Sequence, residues 1–178
     1  MKKIALLITA GIFLTLMMSY TFYRPDTDGS PAGQTGSPHD GSDCSSCHSA
    51  KPKNIDGLIT SNVPAEGYTP GNKYTITAHL KGNQNSKKFG FQISPQNSKG
   101  KLSGKMIVTN PKETRIIENG KYINQIKGGV DGNGSKSWSF DWVAPMKGSG
   151  DVIFYGSFLI GGKPEIVYNS KLLIKENK

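Results

Sequence analysis

From Ile55 onward the chain repeats short runs in which apolar and polar residues alternate, separated by Gly, Pro, Asn and Lys. This pattern is typical of strands that have one buried and one exposed face and are joined by turns. The sequence therefore predicts an all-β domain over residues 55–178, an antiparallel sandwich or barrel. Its nine predicted strands are Gly57–Ser61, Lys73–Leu80, Lys88–Ser94, Lys105–Thr109, Thr114–Glu118, Lys121–Ile126, Ser137–Val143, Asp151–Ile160 and Glu165–Lys175.

Aromatic residues at every second position indicate where the core lies. Trp138, Phe140 and Trp142 share one strand face, with polar residues between them. Large aromatic side chains at this spacing are more typical of a core than of a cofactor contact. The strand at Asp151–Ile160 is apolar on both faces, which indicates a central strand or one whose second face is covered by a cofactor or partner.

The N-terminal segment has the pattern of an export signal. Lys2 and Lys3 precede an uncharged apolar run that ends at Tyr23. Residues 1–23 are therefore predicted to be a signal peptide or an uncleaved membrane anchor, and either would place the rest of the chain outside the cytoplasm, in the periplasm or at the cell surface. Residues 24–43 are rich in Pro, Gly, Ser and Asp without hydrophobic periodicity, which predicts a flexible linker.

The segment 44–54 carries the strongest chemical signal. The chain has two cysteines, and they stand in Cys44-Ser45-Ser46-Cys47-His48, a C-x-x-C-H motif. This is the attachment motif of c-type haem: each thiol bonds one vinyl group, and the histidine supplies the proximal nitrogen to the iron. The sequence thus predicts one covalent haem c on Cys44 and Cys47 with His48 as proximal ligand. Asp43 is placed to cap a short helical turn that holds the cysteines.

Two other interpretations of the cysteines stay open. A dithiol/disulfide pair normally lies at a helix N-terminus in a βαβ setting, and no such pattern surrounds the motif. A zinc site needs two more ligands at suitable spacing, and the chain offers only two further histidines.

The second axial ligand of the iron is not fixed by any motif. The candidate distal ligands are His39, His79, Met106 and Met146. His39 precedes the motif in the predicted linker, and His79 shares a strand face with Thr75 and Thr77. A five-coordinate iron is the alternative, and it would leave the site open to small ligands or peroxide chemistry.

Composition narrows the partners. The chain carries 22 Lys and Arg against 13 Asp and Glu, a formal charge of +9. The excess serves solubility and could steer acidic redox partners, but the basic residues are scattered, which disfavours nucleic-acid binding. No nucleophile elbow, phosphate loop or metalloprotease helix is present, so an electron carrier is favoured over an enzyme.

Several segments resemble a known family in their order along the chain. The sequence is similar to bacterial exported proteins in which a C-x-x-C-H segment precedes a Reelin-like (Reeler) domain, over roughly residues 33–173. The matching segments are Thr35–Pro38, Cys44–His48, Tyr68–Ile76, Phe89–Ile93, Trp138–Pro145 and Gly150–Tyr155.

This resemblance implies an Ig-like antiparallel β-sandwich and exposure at the cell envelope. Many relatives carry a histidine at the strand position that Gln125 occupies here. If that histidine is their distal ligand, this chain must use another ligand or none.

Three functions follow from these patterns. The leading prediction is an electron-transfer haem module of the cell envelope. The alternative is an extracellular binding or adhesion module in which the cysteines are structural or form a disulfide. A haem-based sensor or peroxidase is a further alternative that needs an open axial position.

Overall fold

The computed structural model describes residues 28–177. Within this range the chain is almost entirely β, with one short 3₁₀ turn at Cys44–Ser46 and another at Lys127–Gly129. The strands are β1 (Lys53–Asn54), β2 (Ile59–Ser61), β3 (Lys73–Lys81), β4 (Lys88–Gln96), β5 (Lys105–Val108), β6 (Thr114–Ile117), β7 (Tyr122–Gln125), β8 (Ser135–Val143), β9 (Val152–Gly161) and β10 (Ile166–Ile174).

Two sheets pack face to face. One has six strands in the order β1-β10-β9-β4-β7-β6, and the other has four in the order β2-β3-β8-β5. All strand pairs are antiparallel except β1 with β10. The predicted all-β sandwich is confirmed, and each of the nine predicted strands overlaps one of β2 to β10. The additional strand, β1, is two residues long, too short for a recognisable alternation.

The inner faces of the sheets form one hydrophobic core. Trp138, Phe140 and Trp142 of β8 all point inward and are almost completely buried. Trp138 packs on Phe91 with ring centroids 4.5 Å apart, and Trp142 meets Phe154 edge to face at 5.2 Å. These contacts join the two sheets and confirm the prediction that the aromatic residues at every second position belong to the core.

The outer face of the six-stranded sheet is polar, yet it is buried. Gln92, Gln96, Asn124 and Ser157 are all 0% exposed. Buried amides and hydroxyls are stable only when they are hydrogen-bonded, so this face needs a polar cover. Residues 28–48 provide that cover and are called the N-terminal strap below.

The strap is hydrogen-bonded to the sheet along its length. Gln92 Nε2 donates to Ser30 Oγ and to the carbonyl of Pro31, each at 2.7 Å, and Gln92 Oε1 accepts from the N–H of Gln34. Ser37 Oγ donates to Gln96 Oε1 at 2.6 Å. The prediction of a flexible linker is therefore wrong for residues 28–43. The segment is ordered by hydrogen bonds to polar side chains of the sheet. Such contacts leave no hydrophobic periodicity in the sequence, unlike the packing of an ordinary strand or helix.

Asp40 fixes the middle of the strap. Its side chain is 2% exposed and accepts hydrogen bonds from Thr35, Gln96, Lys121 and Tyr122. Burial raises the pKa of Asp40, but these hydrogen bonds outweigh it and hold the pKa below its ordinary value.

The predicted signal peptide or anchor, residues 1–23, lies outside the described residues. Within residues 28–177 no helix is long and apolar enough to cross a membrane.

Candidate functional site

The cysteine motif sits in a capped turn at the end of the strap. Asp43 Oδ1 accepts the Ser45 N–H at 2.8 Å and the Ser45 hydroxyl at 2.6 Å, and its Oδ2 accepts from Asn169 Nδ2 at 2.7 Å. The predicted cap is thus confirmed. Burial raises the pKa of Asp43, but the hydrogen bonds from Ser45 and Asn169 outweigh this effect and hold the pKa below its ordinary value. The carboxylate form is therefore favoured.

Cys44 is anchored to the centre of the six-stranded sheet. Its backbone N–H donates to Ser157 Oγ of β9 at 3.1 Å. Burial raises the pKa of the Cys44 thiol to about 11, and the hydrogen bond with Ser157 offsets only part of this shift. Nucleophilic cysteines have a lowered pKa, whereas the raised pKa favours the neutral thiol form of Cys44. Cys47 is exposed at the surface.

His48 is oriented by a carboxylate. Its Nδ1 lies 3.0 Å from Glu165 Oε1, and Glu165 Oε2 accepts the backbone N–H of Ser49 at 3.2 Å. When Nδ1 donates to the carboxylate, Nε2 carries the lone pair that can bind a metal. A carboxylate partner of this kind fixes the ring and increases the basicity of a ligating imidazole.

The motif borders a cavity of about 400 Å³ between the strap and the sheet. This volume is within the range of about 300–1,000 Å³ that is usual for small-molecule and cofactor sites. Gly90, Leu159 and Gly161 lie side by side on β4 and β9 and contribute to its lining. The remaining lining residues are Gly29, Ser30, Pro31, Gln34, Cys44, Cys47, His48, Lys88, Phe89, Phe91, Gln125, Val130 and Glu165.

The donor set of this cavity fits a covalently bound haem. Two thiols at C-x-x-C spacing and one oriented imidazole meet at a mostly apolar space, and strand glycines leave room where side chains would intrude. Within the described range, no three His, Cys, Asp or Glu side chains are grouped to hold a metal ion. A haem iron, in contrast to structural zinc, needs only one of these residues as its protein ligand.

The structure places the two candidate distal histidines away from this cavity. His39 lies in the strap and packs closely on Gly100: a Cβ added to Gly100 would lie 2.3 Å from Cγ of His39. His79 is exposed on the outer face of the four-stranded sheet, where Nδ1 pairs with Ser137 Oγ at 2.7 Å. That face is on the opposite side of the sandwich.

The two candidate methionines are also elsewhere. Met106 is 4% exposed within the hydrophobic core, and Met146 is 77% exposed in the segment that follows β8. Neither residue lines the cavity. The structure therefore brings Cys44, Cys47 and His48 together and brings none of the four distal candidates to them.

Two residues of the cavity were not predicted as site residues. Glu165 contacts His48 across 117 positions of sequence, which no local pattern reveals. Gln125 was noted only through the family resemblance, yet it lines the same cavity as the cysteine motif. Isolated glycines inside the strands, such as Gly90, were the one local signal, because glycine in a strand often marks the close approach of another group.

Solved structures that share this fold include reeler domains. The Reelin-N domain of F-spondin superposes with a TM-score of 0.54 at 19% identity, covering 71% of this chain and 93% of that chain. A second structure, the human F-spondin reeler domain, gives a TM-score of 0.51 at 20% identity, covering 70% and 96%. No family model matches the sequence, and no curated protein does. The protein is thus a β-sandwich with the reeler fold.

Proposed function

We propose that this protein is an exported c-type cytochrome module, in which a reeler-type β-sandwich carries one covalent haem for electron transfer. The observation that carries the proposal is the convergence of Cys44, Cys47 and His48 on one apolar cavity, with Glu165 orienting the histidine. The apolar N-terminal run supports export, with or without retention as a membrane anchor.

The two cysteines would hold the haem through thioether bonds. Each thiol adds its S–H across one vinyl double bond: sulfur bonds one carbon, hydrogen goes to the other, and no oxidant or reductant is needed. A thioether carries no charge, so the burial that raises the pKa of Cys44 to about 11 does not oppose the product. Asp43 and Ser157 position the turn before the bonds form.

His48 would supply the axial nitrogen. Glu165 holds the Nδ1 side of the ring, so Nε2 is the free ligand atom. Bound haem supplies an iron that exchanges one electron. Because Cys47 is exposed, this end of the site faces solvent, where a redox partner can approach. The net positive charge favours partners with an acidic surface.

The test is reversible redox cycling of the full chain produced with haem-maturation machinery. We expect the Soret band to move to its reduced position with dithionite, to return with ferricyanide, and to move again on re-reduction. The Cys44→Ser/Cys47→Ser double variant should carry no haem, whereas Ser45→Ala/Ser46→Ala, in the same turn, should carry a full complement. Haem that is attached but cannot be reduced and reoxidised would refute the electron-transfer role.

The reeler fold favours a second candidate, an extracellular binding module in which the motif is structural. The hydrophobic core contains neither cysteine, so the sandwich does not depend on them for packing. On this hypothesis the double Cys→Ser variant folds and functions like the wild type, and the purified wild-type chain retains no haem.

A further inference from the structure

Among residues 28–177, the lining of the cavity beside the cysteine motif includes a single imidazole, that of His48, and no methionine. Strong axial ligation of haem iron by protein comes from histidine, methionine, cysteine or tyrosine side chains. We infer that the second axial position of the haem is open to small external ligands, and that Gln125 donates a hydrogen bond to the ligand bound there. This inference rests on the proposed function, because it concerns the same iron.

Lys88 is the one amine among the described residues that line the cavity, and it is already engaged. Lys88 Nζ lies 2.5 Å from Asp131 Oδ1, where both side chains are more than half exposed. Withdrawing this amine to the iron would break the ion pair and desolvate the amine. The cavity wall formed by residues 28–177 therefore offers the iron no ready second ligand.

Gln125 has its amide fixed in one orientation. Its Oε1 accepts the backbone N–H of Phe91 at 2.7 Å, in place of a strand-to-strand bond. Its Nε2 lies over Gly90, 3.2 Å from the position that a Cβ would take there. Both Gln125 and Gly90 line the cavity, and Gln125 is 8% exposed.

This arrangement defines the class of ligand. With Oε1 engaged, the N–H groups of Nε2 are the donors that Gln125 can offer in the cavity. A buried donor favours a ligand that accepts a hydrogen bond, such as a small anion or a polarised diatomic molecule, over an apolar one. The site thus suits cyanide-like anions on the oxidised protein and diatomic gases on the reduced protein.

The first test uses the full chain after mass spectrometry has verified covalent haem, so that a failure of attachment is scored against the proposed function alone. Carbon monoxide is added to the reduced protein and cyanide to the oxidised protein. We expect a high-spin spectrum that shifts with both probes. A six-coordinate low-spin spectrum that neither probe changes would overturn the inference, even though the haem is attached.

Two variants test the role of Gln125. Gln125→Glu keeps an acceptor for Phe91 but removes the donor, and Gln125→Leu removes the donor without adding charge. We expect both to weaken cyanide binding at least tenfold, which corresponds to about 1.4 kcal/mol. His39→Ala and His79→Ala should leave spectrum and affinity unchanged. Wild-type affinity in both Gln125 variants would refute the donor role, and a spin-state change in either histidine variant would refute the open position.

Discussion

Glu165 Oε1 lies 3.0 Å from Nδ1 of His48, and the other oxygen of the same carboxylate accepts the N–H of Ser49. Glu165, the residue before β10, thereby joins the end of the C-x-x-C-H motif to the six-stranded sheet at the proposed haem site. The carboxylate holds the imidazole in the tautomer that leaves Nε2 free for iron.

The first prediction concerns the reduction potential. A carboxylate that accepts from Nδ1 makes the imidazole a stronger donor and stabilises the oxidised iron. Glu165→Gln should therefore raise the midpoint potential by about 60 mV, the one-electron equivalent of ~1.4 kcal/mol lost from a charged hydrogen bond. A redox titration measures this shift. Glu66→Gln removes one charge from an exposed loop and serves as the control. Equal potentials in the wild type and Glu165→Gln would show that the carboxylate does not act on the iron.

The second prediction concerns thiol reactivity in the haem-free protein. The pKa of Cys44 is raised from 9.0 to about 11, so about a hundredfold less of it is thiolate at pH 8. Alkylation of Cys44 by iodoacetamide should be slower by that factor in the folded protein than in urea, as peptide mass spectrometry can follow. Because the pKa of Cys44 is raised on folding, the contribution of its neutral thiol to stability is present below pH 9.0 and is lost as pH rises from 9.0 through about 11. Equal rates in folded and unfolded protein would contradict the raised pKa of the thiol.

The third prediction concerns the N-terminal strap. Asp40→Ala removes a buried acceptor from Lys121 and Tyr122, among others, and should lower the free energy of unfolding by about 2–3 kcal/mol at pH 7. Urea denaturation measures the loss, with exposed Asp56→Ala as control. If the unfolding free energy of Asp40→Ala matched that of the control, the hydrogen bonds of Asp40 would contribute nothing to stability.

The pKa of Asp40 is lowered on folding, so its contribution is fully present above pH 3.8, the unfolded value, and is lost as pH falls through the lower folded value. The wild type should therefore lose more stability than Asp40→Ala between pH 5 and pH 2. Parallel losses in the two proteins would contradict this assignment.

The fourth prediction concerns the glycine in the cavity lining. Gly90→Val adds a branched side chain that suits a strand but meets Gln125 Nε2, which lies 3.2 Å from the Cβ position. The fold should persist while haem incorporation falls severalfold, as judged by circular dichroism and by haem per polypeptide. Ser139→Val, on the outer face of the four-stranded sheet, is the matched control. Full haem incorporation in Gly90→Val would place the haem elsewhere.

The sandwich was predictable because its strands satisfy local rules. In β3 and β8 the buried residues fall at every second position, and turn residues bound both strands. The short strand β1 lacks such a pattern because its two residues, Lys53 and Asn54, are both exposed. The Asp43 cap was also predictable, because its hydrogen-bond partner Ser45 is only two residues further along the chain.

The strap and the distal side of the site were not predictable, because their partners are distant in sequence. Gln92 meets Gln34 across 58 positions, and polar contacts leave no hydrophobic period in the segment they order. The side chain of Gln125 accepts a hydrogen bond from the backbone N–H of Phe91, 34 positions away in the sequence. No pattern in one sequence specifies such pairs.

The measurement that tests the central claim most directly is acid-acetone extraction of the purified full-length protein, followed by the visible spectrum of the polypeptide. If Cys44 and Cys47 carry haem c, the colour stays with the chain and the reduced pyridine haemochrome shows a sharp α-band, and the Cys44→Ser/Cys47→Ser variant has neither. If the polypeptide is colourless although the maturation machinery loads a control cytochrome in the same cells, the haem assignment is wrong and the protein is a reeler-type binding module.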